Sequence, residues 1–151
     1  MPADRTRTLR GALAGAAAAG LWAAQQPIDK RVFGVDYDDC ELLGTAVTRG
    51  RLAYPVGVVS HLVNGALFGA LYARASPSLP GPPAARGLAA GLAEHLATWP
   101  ATRFIGLHPA ADRFPRLFGD HAAFAQATWR HALFGVALGA IEARLNPRAP
   151  A

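Results

Sequence analysis

The chain has one cysteine, one methionine and one lysine in 151 residues, and charged residues make up only 17% of it. A lone thiol, Cys40, excludes an internal disulfide and a multi-cysteine metal centre. The shortage of charge is the more telling absence, because soluble domains carry about 25%. Reaction motifs are missing too. There is no CxxCH haem-attachment sequence, no HExxH metalloprotease motif and no recognisable Ser-His-Asp order. The run Asp36-x-Asp38-Asp39-x-Glu41 lacks the spacing and central glycine of an EF-hand and reads as a solvated acidic loop. Acidic neighbours give Cys40 nothing that would lower its pKa. These absences point away from an enzyme.

What is present is apolar and helical in pattern. Hydrophobic residues make up 52% of the chain, the mean hydropathy is +0.17 and the net charge is +5. All basic residues but Lys30 are arginines. They form no single patch, which argues against a nucleic-acid partner. Arg10, Arg74, Arg86, Arg103 and Arg144 instead lie mainly just outside apolar stretches or near their ends, where snorkelling side chains mark membrane boundaries. Four stretches approach the ~20 helical residues that cross a ~30 Å hydrocarbon core: Leu9–Gln25, Tyr54–Ala73, Gly87–Leu107 and Ala122–Ala143. The predicted fold is all-α, a single membrane domain over residues 1–151 built as a four-transmembrane-helix bundle. The lipid bilayer is the expected partner, self-association into a homo-oligomer stays open, and the expected location is the bacterial cytoplasmic membrane. Two alternatives compete: a cleaved signal peptide for the first stretch, and a soluble bundle with an Ala/Gly-rich core.

Between the first two stretches, Pro27–Ala53 reads as a polar loop in which Asp39 caps a short helix through Glu41-Leu42-Leu43. The segment SPSLPGPP at 76–83 cannot be helical, since proline lacks a donor and clashes with the preceding turn. His108–His121 is a polar connection. Basic residues divide evenly between the two sides, and the shorter segments with denser charge place both termini, including Arg148, in the cytoplasm.

The sequence repeats. SHLVNGALFGALYAR at 60–74 aligns without a gap to RHALFGVALGAIEAR at 130–144. His61, Gly65, Gly69, Ala70, Ala73 and Arg74 match His131, Gly135, Gly139, Ala140, Ala143 and Arg144. RGALAGAA at 10–17 resembles RGLAAGLA at 86–93. The expected repeats are 10–74 and 86–144, two parallel helical hairpins joined by the Pro-rich linker 75–85 and related by an axis along the membrane normal. Gly65-xxx-Gly69 and Gly135-xxx-Gly139 put small residues on one helix face, where they allow close packing in lipid. His61 and His131 lie one turn along that face. Gly87, Gly91, Glu94 and Thr98 form a comparable face, and Pro100 should kink its helix.

The predicted spans bury Ser60, His61, Asn64, Glu94, His95, Gln126, Arg130 and His131. Ionisable groups are costly in a membrane and face a partner or a water-filled cavity. The favoured reading is structural: Glu94 pairs with Arg130, the histidines bond across helices, and no cofactor is expected. One alternative is a small transporter or proton-linked permease-like protein using Glu94 and the histidines. Another is a membrane metal or haem site, with His61 and His131 as paired ligands and Glu94 as a further candidate.

The segments RGALAGAA, EHLATWP and ATWRHALFG carry a resemblance to small uncharacterised bacterial membrane proteins of four helices. The likeness covers most of the chain and implies membrane location, not an activity.

Overall fold

A computed structural model describes residues 2–147. Their regular structure is all helical, with no strand among them. The α-helices are α1 (Pro2–Phe33), α2 (Asp39–Val47), α3 (Ala53–Ala75), α4 (Pro83–Thr98) and α5 (His121–Leu145). The expectation at Arg148 lies outside the described residues.

Helix α1 is longer than the stretch that predicts it. Its 32 residues extend for about 48 Å. Pro27 sits inside it and does not end it, although proline removes one ladder bond. Gln26 and Asp29, on either side of Pro27, are buried, so tertiary contacts hold the last turns in place. Gly34 ends the helix at φ +68°, and its N–H donates to the Lys30 carbonyl at 3.0 Å. That left-handed cap suits glycine. The segment predicted as loop is thus largely helix. The cap of α2 is Asp38, not Asp39: its side chain accepts from the Glu41 N–H at 3.0 Å.

The third expected span also changes. Regular helix stops at Thr98, and Trp99–Leu107 continues as 3₁₀-helix. Pro100 has no N–H to offer the Leu96 carbonyl, so the predicted kink becomes a change of helix type. Helix α4 then measures about 24 Å. Pro83 opens it at the position where a missing N–H costs least. The linker begins as a single 3₁₀ turn at Ser76–Ser78. Asp120 caps α5 through the Ala123 N–H.

Helix α1 packs along α3 and α5, α5 packs along α4, and α2 lies on α3. Glycines set the crossings. The backbones of Gly11 and Gly15 meet those of Gly69 and Gly65, and Gly87 and Gly91 meet Gly139 and Gly135. A Cβ at Gly69 or Gly135 would collide with the facing backbone, so these helices approach as closely as helices can. The order across the layer is α4, α5, α1, α3. Helices α3 and α4 are not a packed pair, and a groove opens between them.

Among the described residues, one helical stretch, Gly50–Ser78, is long and apolar enough to cross a membrane. Its best window has a mean hydropathy of 1.5, and only 33% of that window is buried. Helices α1, α4 and α5 fall short of that standard. Ala and Gly dilute their hydropathy, and charged residues occupy their ends.

Candidate functional site

The polar residues expected as one cluster divide between two places, apart from Ser60, which donates to the Val56 carbonyl of its own helix, and a further polar network makes a third. The first is centred on Arg130, whose side chain is 1% exposed. Its Nε and Nη2 donate to Asp29 Oδ2 and Oδ1 at 2.7 and 2.6 Å. Its Nη1 donates to Asp39 Oδ2 at 2.7 Å, and Nη2 also reaches the Tyr37 carbonyl at 2.9 Å. Gln25 and Gln126 donate to Asp29, and the Trp22 indole N–H donates to Asp39 at 3.0 Å. Gln26 accepts from the Asp39 N–H. The guanidinium fork matches a carboxylate in bidentate fashion, and the network pins α5 to the end of α1 and the start of α2.

Glu94 is therefore not the partner of Arg130. The guanidinium turns toward α1, where Asp29 lies one helical turn after Gln25 and Gln26. Seen only as part of a loop beyond Pro27, Asp29 gave no sign of that role. The available signal was the i, i+4 spacing of Gln25 and Asp29, which fits a helix continuing through the proline. Two groups beside this network, outside the expected spans, have raised pKa values. Burial, then Asp38 and Asp39, push the Cys40 thiol up to about 11. Burial and Asp39 push the Tyr37 phenol well above its usual value.

The second place lies at the opposite end of the bundle and escaped the sequence reading. Glu142, 2% exposed, receives Arg7 at 2.7 Å, Ser76 at 3.3 Å and Asn146 at 3.2 Å. Arg86 donates to the Ser76 carbonyl at 2.7 Å. Four helix ends meet there.

The third place is the wall of the α3–α4 groove, a cavity of about 890 Å³. Aromatic and aliphatic side chains line most of it, including Trp22, Phe68, Trp99, Phe104 and Phe134. His61, Asn64, Glu94, His95 and His131 add polar atoms. Glu94 Oε2 lies 2.7 Å from His131 Nε2, and His131 Nδ1 lies 2.7 Å from the Ala127 carbonyl. His95 is buried one turn beyond Gly91 and stacks at 4.7 Å on His131. Its Nε2 meets Thr128 Oγ1 at 3.0 Å. Asn64 is exposed in the groove and has no part in the buried networks.

His61 and His131 share Trp22 as neighbour, at ring separations of 5.2 and 4.6 Å. They do not converge on a common point with Glu94. Among the described residues, no group of three His, Cys, Asp or Glu side chains has the geometry to hold a metal ion. The Nε2 of His61 is buried and has no hydrogen-bond partner among the described residues. Gly65, Gly69, Gly91, Gly135 and Gly139 all lie at helix crossings.

Compared with protein-family models, with curated proteins and with solved structures, the chain matches none.

Proposed function

We propose that this chain is a four-span protein of the bacterial cytoplasmic membrane that binds small apolar molecules in its α3–α4 groove. The observation that carries the membrane reading is the outer surface of the bundle. Val59, Val63, Leu67 and Leu71 form an i, i+4 stripe along α3 with exposures of 60, 51, 61 and 67%. Leu9, Leu13, Leu21 and Ile28 are exposed along α1. Exposed apolar stripes of this extent mark a surface covered by lipid or by a partner. No charged residue interrupts 11–28, 54–73 or 131–141.

Spacing adds support. Arg7 and Asp29, each in a buried or half-buried ion pair, are about 33 Å apart along α1 at 1.5 Å per residue. A bilayer's hydrocarbon core is about 30 Å thick. The charged networks thus sit near the two surfaces, with the glycine crossings between them. The Arg130 network is structural on this reading, because each of its guanidinium nitrogens is already engaged.

The groove is the ligand-binding element because it is concave, mostly apolar and furnished with a few convergent polar groups. It also lies where a two-fold repeat is broken. If α1–α3 and α4–α5 are copies, the α1–α5 contact implies an equivalent α4–α3 contact. Early termination of α4 leaves that contact unmade.

Alkaline carbonate extraction of cell membranes tests the integration. The protein should stay with the pellet until detergent is added, and release by carbonate alone would refute it. Orientation follows from cysteine reporters. With cytoplasmic termini, an impermeant maleimide should label Arg51→Cys in intact spheroplasts and Ser78→Cys only after lysis; the reverse pattern would invert the topology.

A further inference from the structure

We infer that the groove recognises a hydroxyl group on an apolar, ring-bearing ligand, and that Glu94 accepts its hydrogen bond. The inference rests on the reading of the groove as a ligand site and adds the chemistry of recognition.

Proton positions follow from the acceptors present. The Ala127 carbonyl can only accept, so His131 Nδ1, 2.7 Å away, carries a hydrogen. The 2.7 Å contact between His131 Nε2 and Glu94 Oε2 then needs one more proton between them. It belongs either to an imidazolium facing a carboxylate or to a carboxylic acid facing a neutral ring. The pair has no net charge in either case, and Glu94 Oε1 has no hydrogen in either case. Among the described residues Oε1 also has no protein partner, and the Glu94 side chain is 36% exposed in the groove wall.

The neighbouring ring is fixed by the same logic. Thr128 Oγ1 donates to the Phe124 carbonyl at 2.8 Å, so its oxygen accepts from His95 Nε2–H. His95, buried and stacked on His131, holds the pair in place.

The groove therefore offers a hydrogen-bond acceptor within an aromatic wall. An acceptor there selects a donor, since a site built for a hydroxyl discriminates strongly against analogues lacking one. A neutral pair makes no demand for a cationic ligand. Trp22, Phe68, Trp99 and Phe134 suit flat rings, and about 890 Å³ holds several fused rings. An alcohol or phenol on such a body meets these conditions.

Equilibrium dialysis of the protein in lipid nanodiscs, with empty nanodiscs subtracted, tests this using 1-hydroxypyrene, 1-methoxypyrene and pyrene. The hydroxyl compound should bind about tenfold or more tightly than the methyl ether, which cannot donate. Glu94→Leu combined with His131→Phe, which removes both the carboxylate and the bare Nε2 that Glu94→Leu alone would expose to the groove, should bring that ratio near one while methoxypyrene binding persists, which shows the groove intact. Glu94→Gln keeps a neutral acceptor, because its amide N–H₂ must turn to the bare His131 Nε2, and should give an intermediate ratio. A wild-type ratio near one, or an unchanged ratio in Glu94→Gln or in the double variant, would overturn hydroxyl recognition alone. Binding of no probe above empty nanodiscs would overturn the groove as a ligand site and this inference with it.

Discussion

Arg130 and Asp29 face each other with both side chains 1% exposed, and a buried pair of this kind is most informative when broken. Removing one partner leaves an uncompensated charge, at about 3–5 kcal/mol. Arg130→Gln should lower the melting temperature in detergent by on the order of 10 °C. Asp29→Asn should lower it as well, and the double variant should recover part of the loss. Recovery is partial because Asp39 also loses its partner. Arg130→Gln and Glu94→Gln should add without coupling, since no contact joins them. A thermal-shift double-mutant cycle reads both results. The polar residues of the expected spans were legible in the sequence, but their pairing was not. Three carboxylates at 29, 39 and 94 were available to Arg130, and only the continuation of α1 past Pro27 decides between them. Cys40 gives a second test at this scale. Its thiol is buried and pushed from 9.0 up to about 11. The fold therefore favours the protonated thiol. The stabilisation this gives is complete below pH 9 and is lost as the pH rises toward 11. Maleimide should label native Cys40 slowly at neutral pH and rapidly once the protein is unfolded in denaturant. Rapid native labelling would contradict the packing of α2 on α3.

The elements pack through glycine, and glycine spacing was the part of the pattern most easily read. Gly65-xxx-Gly69 and Gly135-xxx-Gly139 lie one turn apart by necessity, so their shared face follows from helix geometry alone. Their partners Gly11, Gly15, Gly87 and Gly91 were visible in the second pair of aligned segments. Substitutions should separate packing glycines from the others. A Cβ at Gly65 would meet Ala19 Cβ and the Gly15 carbonyl, whereas one at Gly20 meets only Leu62 Cδ2 at 3.7 Å. Gly65→Ala should destabilise the protein. Gly20→Ala should be neutral or stabilising by up to about 1 kcal/mol, because alanine loses less backbone entropy in a helix. Equal losses in a thermal-shift assay would contradict the close α1–α3 crossing. Element ends were less legible. Pro27 looked like a stop and is tolerated within α1, while Pro100 looked like a kink and changes the helix type. In both cases neighbouring structure settles what the missing donor costs, and no local pattern contains that information.

At the scale of the molecule, an all-helical fold followed from composition and periodicity, while the open layer did not. A repeat predicts equivalent contacts between its copies, and the sequence alone has no way to signal that α3 and α4 remain apart. The groove depends on that asymmetry, and so do the roles given to Glu94 and His131. Burial of charge at both ends, close glycine crossings between them and apolar stripes outside all fit one solvent arrangement: lipid around the middle and water at the ends. Nitroxides introduced singly at Val59, Val63, Leu67 and Leu71, in protein reconstituted into bilayers, test that arrangement most directly. If α3 faces lipid, relaxation by dissolved oxygen should exceed relaxation by a water-soluble nickel chelate at all four sites, most of all at Val63 and Leu67. Stronger relaxation by the nickel chelate at those two central sites would contradict membrane insertion.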